Sequence, residues 1–201
     1  MTYSPSIDPT SITNVLDPDE IRGLRTEVLG NKDVKSIGYA SVENGVLQEN
    51  GNFLNIGEVA PGTTAGESQD LQTALLDPSF RLVGNVKIVS GGTMLVRTIR
   101  MANGRALKVT DGFMVQSAVL HQQKNNDHYD FTWKPVYELR PGDLVVTNPR
   151  PGSKKKEIQA EISEVVSNEL GGLESVYALV ATTQENNDFI INGVVSRFPD
   201  Q

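Results

Sequence analysis

The chain of 201 residues contains no cysteine. Disulfides, thiolate metal sites and a cysteine nucleophile are therefore excluded. Its apolar runs all fall short of the roughly 20 residues that a membrane-spanning helix needs. The first residues also lack the basic and apolar segments of a signal peptide, so we expect a chain that is not secreted by that route.

Basic residues are outnumbered, with 18 Lys and Arg against 25 Asp and Glu and a formal net charge of -7 at pH 7. Binding to nucleic acid or to an anionic membrane needs a concentrated basic face, which this balance does not favour. The single basic run, Lys154-Lys155-Lys156, lies in the segment Pro149–Lys156, which is rich in Pro, Gly and Ser. We interpret this segment as a solvated loop, with a contact patch as the alternative, and expect neither nucleic acid nor a membrane as a partner.

Common cofactor and nucleophile motifs are missing as well. There is no Gly-x-x-x-x-Gly-Lys-Ser/Thr phosphate loop and no Gly-x-Ser-x-Gly nucleophile turn. The two histidines, His121 and His128, stand beside Asp127 and Asp130 at a spacing that matches no regular metal site. This polar stretch, His121–Asp130, is predicted to be a loop. The sequence therefore predicts no metal, no cofactor and no evident small-molecule substrate.

Short apolar runs separated by Asn-Gly dipeptides dominate the chain from Ile37 onward. Asn-Gly between two such runs is the strongest short hairpin signal, because a tight hairpin turn needs positive φ at both positions. The segment Met94–Gln116 shows this pattern most clearly, and a further run begins there at Phe113. The four dipeptides are Asn44-Gly45, Asn50-Gly51, Asn103-Gly104 and Asn192-Gly193. They predict a mainly β domain over residues 37–201, interrupted by a helical turn or two over Glu67–Leu76.

Residues 1–36 have a different composition. Met1–Leu16 is polar, contains two prolines and is predicted to be an extended arm. A short helix is predicted over Pro18–Leu29, with Asp17 as its N-cap. Its narrow apolar stripe, which needs a partner surface, consists of Ile21, Leu24 and Val28. We therefore predict that residues 1–36 are an interaction element that binds other protein subunits.

An internal repeat lies within the β domain. Glu58-Val59-Ala60-Pro61-Gly62 is echoed by Glu138-Leu139-Arg140-Pro141-Gly142, each at the end of a short apolar run. The hairpin predicted at Leu95–Val115 is echoed by the segment Val176–Val195. Two echoes in the same order indicate two interlocked subdomains with a shared core.

Four segments carry short motifs in a fixed order. The first, Val46–Gly62, is a strand with an Asn-Gly turn followed by Ile and Pro-Gly, and the second, Val96–Phe113, is a strand with a Gly turn and a Val-Thr pair. The third, Val136–Val146, contains Leu-Arg-Pro-Gly-Asp. The fourth, Glu174–Val195, contains Val-Tyr-x-Leu followed by Phe-x-x-Asn-Gly. With them the chain resembles the Hint family, the fold of inteins and of the hedgehog autoprocessing domain, over Ile37–Phe198. The resemblance implies a horseshoe-like, mainly β fold of two pseudo-repeated subdomains.

The same resemblance implies which residues would process the chain. In the family, an N-terminal Cys or Ser attacks the preceding carbonyl, a Thr-x-x-His pair protonates the scissile amide, an Asp in the final block assists, and a terminal His-Asn pair releases the flank. Here Thr110 keeps the Thr position and Ser41, near the nucleophile position at Tyr39 to Ser41, is a relic serine. The four remaining catalytic positions carry Phe113, Ala178, Ser196 and Arg197.

These departures remove the proton chemistry that self-cleavage needs. A serine hydroxyl is a poor nucleophile without an adjacent base, and an amide nitrogen leaves badly without a proton donor. Loss of the general acid alone costs on the order of 10²–10⁴ in rate. The sequence therefore predicts a chain that is not an enzyme.

Three functions are open at this point. The first is a structural or interaction protein, a Hint scaffold held in an assembly through its N-terminal residues; an acidic, cysteine-free chain with a polar terminus is typical of virion components of a phage tail, neck or baseplate. This places the chain in a virion or in the cytoplasm of the producing cell. The second is a self-processing, intein-like peptidase that uses Ser41 or Thr110. The third is a free-standing regulatory binding module.

Trp133, the only tryptophan, is expected to pack within the fold, with a partner anchor as the alternative.

Overall fold

The computed structural model describes residues 38–154, 156–184 and 186–199. The predicted N-terminal arm and the helix Pro18–Leu29, with its stripe of Ile21, Leu24 and Val28, lie outside these residues. The interaction element assigned to residues 1–36 therefore stays a prediction.

The described chain is built mainly of β-strands, which confirms the predicted fold class. The strands are β1 Ala40–Ser41, β2 Gly45–Leu47, β3 Phe53–Asn55, β4 Ser68–Asp70, β5 Leu75–Leu76, β6 Leu82–Val83, β7 Val86–Met101, β8 Ala106–Val109, β9 Met114–His121, β10 His128–Pro135, β11 Leu144–Pro151, β12 Ile158–Ala181, β13 Asn187–Ile191 and β14 Val194–Phe198. Between them lie one short helix, α1 (Ile56–Val59), and one 3₁₀ turn, Val136–Glu138. No helix of the described chain is long and apolar enough to cross a membrane.

Two long strands, β7 and β12, organise the large antiparallel sheet. β12 pairs with β11 along its first part and with β7 along the rest. The β7–β12 register shifts at Val165/Ser167, Leu170/Leu173 and Val176/Tyr177. Such bulges bend a strand and increase its twist, so one continuous strand takes part in both halves of the domain.

The two Pro-Gly segments predicted to be repeats each follow a single helical turn, although the first turn is α-helical and the second is 3₁₀. α1 ends just before Pro61-Gly62, and the 3₁₀ turn ends just before Pro141-Gly142. Each turn buries its first residue, because Ile56 is 1% exposed and Val136 is fully buried. The second pair of predicted repeats, Leu95–Val115 and Val176–Val195, differs in strand pairing. β7 pairs with β8, the next strand along the chain, whereas β13 pairs with β14 and β2.

The predicted helical turns at Glu67–Leu76 are wrong. This segment contains β4 and β5 instead. Leu75 is fully buried, and its strand pairs with β6. The connecting turn is fixed by the Asp77 carboxylate, which accepts hydrogen bonds from the backbone N–H groups of Ser79 and Arg81. Apolar residues three and four apart fit a helix, but tertiary burial of Leu75 overrides that spacing.

Both predicted loops are shorter than expected. His121 ends β9 and His128 begins β10, where the two residues pair and their rings stack with centroids 5.1 Å apart. Only residues 122–127 connect the strands. In the second loop, Pro149 to Pro151 belong to β11, and the exposed Lys154 and Lys156 lie in the connection to β12.

The four Asn-Gly dipeptides are not equivalent. At Asn192-Gly193 both residues have positive φ, 49° and 81°, as a tight hairpin turn requires. At Asn50-Gly51 and Asn103-Gly104 only the glycine does. The prediction of a turn at Asn44-Gly45 is shifted by one residue, because Asn44 closes a turn that starts at Ser41, and Gly45 already begins β2.

The core is apolar and contains three fully enclosed phenylalanines, Phe113, Phe189 and Phe198. Trp133 lies in β10 and is half-buried. The guanidinium carbon of Arg197 sits 4.1 Å from the centroid of its ring, a cation–π contact within the chain. The expected packing of Trp133 is therefore observed.

Candidate functional site

The two ends of the described domain lie side by side. A Cβ atom built on Gly38 would be 2.1 Å from Cδ of Pro199 and 3.2 Å from the carbonyl oxygen of Gly112. Glycine is thus the residue that permits this close approach. The segments that enter and leave the β domain consequently meet at the Asp111-Gly112 corner, next to Thr110.

Thr110 holds the entering segment in place. The backbone N–H of Tyr39 donates to Thr110 Oγ1 at 2.9 Å, and the N–H of Thr110 donates to the carbonyl oxygen of Tyr39 at 2.9 Å. Thr110 is fully buried. Its side chain therefore binds the peptide group between residues 38 and 39, which lies two residues before the candidate nucleophile Ser41.

Phe113, whose backbone N–H donates to the Thr110 carbonyl at 3.2 Å, belongs to a cluster of three phenylalanine rings. Phe113 and Phe198 pack edge to face with centroids 5.0 Å apart, and Phe189 lies 6.2 Å from Phe198. Ala178 is fully buried in the same core cluster as Phe113. The predicted positions Phe113 and Ala178 thus belong to one apolar core cluster.

The side chain of Tyr39 does not supply a nucleophile. Its ring packs against the backbone of Gly91, where an added Cβ would lie 2.7 Å from Tyr39 Cδ1. Burial raises the pKa of the Tyr39 phenol above its ordinary value of 10.0, because the phenolate is poorly solvated there. The group is therefore a neutral, packed phenol at neutral pH.

Ser41 lies away from Thr110, at the end of β1. It is fully buried, and its Oγ accepts a hydrogen bond from Asn44 Nδ2 at 3.3 Å. Asn44 Nδ2 also donates to the Ser41 carbonyl at 2.9 Å. Ser41 thus lies within the turn before β2. Tyr39, whose backbone N–H binds the Thr110 hydroxyl, is two residues earlier in the chain.

Ser196 and Arg197 lie on opposite faces of β14. Ser196 is fully buried and its hydroxyl donates to the Val194 carbonyl at 2.8 Å. Arg197 points to Trp133 and forms a two-point ion pair with Asp188, with N–O distances of 2.5 and 2.9 Å. Neither side chain joins the ring pair beside Thr110.

The histidines are also remote from this cluster. His121 Nε2 lies 2.7 Å from Asp130 Oδ2, and the side chains of both residues are largely exposed on the β9–β10 hairpin. In the part of the chain that the structure describes, no three His, Asp or Glu residues are placed to hold a metal ion.

Solved inteins have the same arrangement of strands. The Ssp DnaB mini-intein variant M86 superposes with a TM-score of 0.57 at 19% sequence identity, covering 82% of this chain and 97% of the intein. The TvoVMA intein gives a TM-score of 0.54 at 18% identity, with 80% and 97% covered. The DnaB intein from Synechocystis sp. PCC 6803 gives 0.52 at 17% identity, with 82% and 99% covered. The chain has the Hint fold of inteins. Neither a protein-family model nor a curated protein sequence matches it.

Phe198 lies on β14, two residues after Ser196, and its ring contacts Phe113. The sequence assignment of the final pair of family positions to Ser196 and Arg197 stays a prediction.

Thr110 binds the backbone N–H of Tyr39 at the start of the described domain. The resemblance predicts that the proton-donor position carries Phe113 and that Ser196 and Arg197 stand in place of the terminal His-Asn pair. A phenyl ring neither donates nor accepts the proton that a leaving amide requires.

Proposed function

We propose that this chain is a non-enzymatic structural protein, a Hint scaffold that does not process itself and works by binding other protein subunits. The observation that carries the proposal is the edge-to-face contact of Phe113 and Phe198 beside Thr110. Rings packed in this way stabilise a core, and neither ring carries a group that could donate or accept a proton.

Two further features support a binding role over catalysis. The only two histidines of the chain lie on an exposed hairpin and not beside Thr110. Ser41 is fully buried, and a serine without a neighbouring base is a weak nucleophile. The Hint fold is thus maintained, while the positions predicted for the proton donor and the assisting Asp carry the apolar residues Phe113 and Ala178.

The assembly that we propose is a virion, in which the chain is a component of a tail, neck or baseplate. The support is the acidic composition, with a net charge of -7, and the polar N-terminal residues with their stripe of Ile21, Leu24 and Val28. A segment that is too polar to fold alone can order along a neighbouring subunit. Sedimentation of the chain from its native source tests this part: it should travel with a large particle, and a free monomer would contradict it.

Intact mass after incubation with dithiothreitol tests the absence of self-processing. The chain should remain a single species of 21.9 kDa. A mini-intein with a functional site, incubated in parallel, is the positive control. If fragments appear, the variants Ser41→Ala and Thr110→Ala assign them, and loss of the fragments in either variant would establish the self-processing alternative.

A further inference from the structure

The β9–β10 hairpin carries an uncovered strand edge. Among the described residues, β10 pairs with β9 alone, which leaves its other edge unpaired. Apolar side chains near the end of the hairpin are exposed: Val119 by 51%, Tyr129 by 39% and Phe131 by 53%. An unpaired, regular edge with exposed aromatic residues is a template for pairing with another strand.

The two faces of β10 differ in chemistry. The β9–β10 register runs from His128 to Pro135 without a shift, so successive side chains alternate between the faces. Tyr129, Phe131 and Trp133 share one face, and the rings of Tyr129 and Phe131 lie 6.4 Å apart. The other face carries Asp130, Thr132 and Lys134.

This pattern is complementary to itself. We propose that β10 pairs antiparallel with β10 of a second copy of this chain, about a twofold axis at Thr132. Asp130 then lies opposite Lys134 of the second copy, and the same pair recurs on the other side of the axis. On the apolar face, Phe131 lies opposite Trp133 of the second copy. Cross-strand pairs of opposite charge and of aromatic rings both stabilise antiparallel sheets.

The contacts within one copy leave both charged groups accessible. Asp130 Oδ2 lies 2.7 Å from His121 Nε2, and its Oδ1 lies 3.9 Å from His128 Nε2. Lys134 Nζ lies 3.1 Å from Asp143 Oδ2. The Asp130 side chain is 68% exposed and that of Lys134 is 29% exposed, so the first is open to solvent and the second is partly open to a further partner. Pro135, which has no N–H to donate, falls at the margin of the pairing, opposite Tyr129.

The predicted contact is small and extends the sheet formed by β11, β14, β9 and β10 into a second copy. One strand pair of this length gives an interface at the small end of the known range, so the dimer should form and dissociate with concentration. The inference rests on the proposed binding role and names one of its partners as the chain itself. Its test measures association and not cleavage, so the two proposals can fail separately.

Sedimentation equilibrium of the full chain over a concentration series into the hundreds of micromolar tests the pairing with charge reversals. Asp130→Lys and Lys134→Asp each place like charges opposite one another at both symmetric positions. Each should weaken the dimer by roughly tenfold or more. The double variant restores opposite charges in exchanged places, so it should recover most of the wild-type association.

Two substitutions in the connecting loop are matched controls. Asp127→Lys and Lys124→Asp change the net charge by the same amounts in exposed positions outside β10, and both should leave the dimer unchanged. Thermal melts of all variants verify that the monomer is folded. A wild-type chain that stays monomeric throughout the series would overturn the proposal. A dimer that persists in both single charge reversals would overturn it as well. So would a double variant whose association is no stronger than that of the single variants.

Discussion

Asn192 Nδ2 donates to Asn44 Oδ1 at 3.0 Å, although the two residues are 148 positions apart in the chain. Asn192 Oδ1 accepts from the backbone N–H of Gly45 at 2.7 Å, and its Nδ2 also donates to the Ala106 carbonyl at 3.0 Å. Asn44 in turn donates to the carbonyl of Lys108 at 2.8 Å. This asparagine pair joins the turn before β2, strand β8 and the β13–β14 turn. It holds together the elements that surround the entry to the Hint site.

Replacing Asn192 by alanine should therefore destabilise the fold. The change leaves the N–H of Gly45 and the carbonyl of Ala106 without their side-chain partner, and an unsatisfied buried group costs about 1–3 kcal/mol. It also places an alanine at a φ of 49°, which adds roughly 1–2 kcal/mol of backbone strain. Denaturant unfolding measures the loss. Asn50→Ala, at an exposed Asn-Gly, is the matched control and should change the free energy of unfolding by less than about 0.5 kcal/mol. Equal midpoints for the Asn192 variant and the wild type would show that the pair does not stabilise the protein.

The same bonds predict where the chain deamidates. Succinimide formation requires the side-chain carbonyl of an asparagine to turn toward the next backbone nitrogen, and Asn192 is held by three side-chain hydrogen bonds. Asn50 is exposed and makes one, accepting from Asn52 N at 2.9 Å. Peptide mapping after storage at mildly alkaline pH should find isoaspartate at Asn50 first. Faster conversion at Asn192 would contradict the bond network.

Phe113 should be a major contributor to stability. Its ring is fully buried between the Thr110 corner and Phe198, so Phe113→Ala should lower the free energy of unfolding by about 3–5 kcal/mol, the usual cost for a buried phenylalanine. Phe53, which is 44% exposed, provides the control substitution Phe53→Ala, with a much smaller expected loss. An unchanged denaturant midpoint for the Phe113 variant would mean that the ring is not part of the core.

Stability should decline at alkaline pH, with Tyr39 as one cause. Burial raises the pKa of Tyr39 in the folded state above 10.0, so the folded chain holds the phenol proton more tightly than the unfolded chain. The stabilisation is complete below pH 10.0 and is lost as pH rises through the pKa of the folded state. Burial also raises the pKa of Tyr177. The hydrogen bonds that Lys108 Nζ donates to the carboxylates of Glu174 and Glu43 raise the pKa of Lys108, so these groups act in the same direction.

Unfolding measured across this alkaline range separates the contribution of Tyr39. Tyr39→Phe should unfold with a shallower loss of stability above pH 10.0 than the wild type. Tyr129→Phe, on the exposed hairpin, should keep the wild-type slope. Identical slopes for Tyr39→Phe and the wild type would refute the assignment.

Deletion of Met1–Gly30 should separate folding from assembly. The polar N-terminal residues cannot repay an ordering cost of about 1–2 kcal/mol per residue without a partner surface. The truncated β domain should keep nearly the same melting temperature but fail to enter the assembly. A sharp fall in melting temperature would mean that the stripe of Ile21, Leu24 and Val28 packs on its own domain.

Local patterns in the sequence predict much of this fold. Short apolar runs and Asn-Gly turns predict most of the hairpins. The motif that begins at Thr110 identifies Phe113 from the sequence, and the structure shows that this ring is buried. The helical interpretation of Glu67–Leu76 fails because spacing alone does not reveal the burial of Leu75. The bonds between Asn44 and Asn192 are equally invisible, since no local rule links residues so far apart. The contact of Phe198 with Phe113 is likewise absent from the sequence analysis, because the two residues are far apart in the chain.

The most direct measurement of the central claim is a time course of intact mass for the purified full chain with dithiothreitol. A Hint site with Phe113 and Phe198 beside Thr110 predicts one species of 21.9 kDa at every time point. The contradicting result is a fragment that accumulates with time, ends between Gly38 and Ser41, and disappears when Ser41 or Thr110 is replaced by alanine.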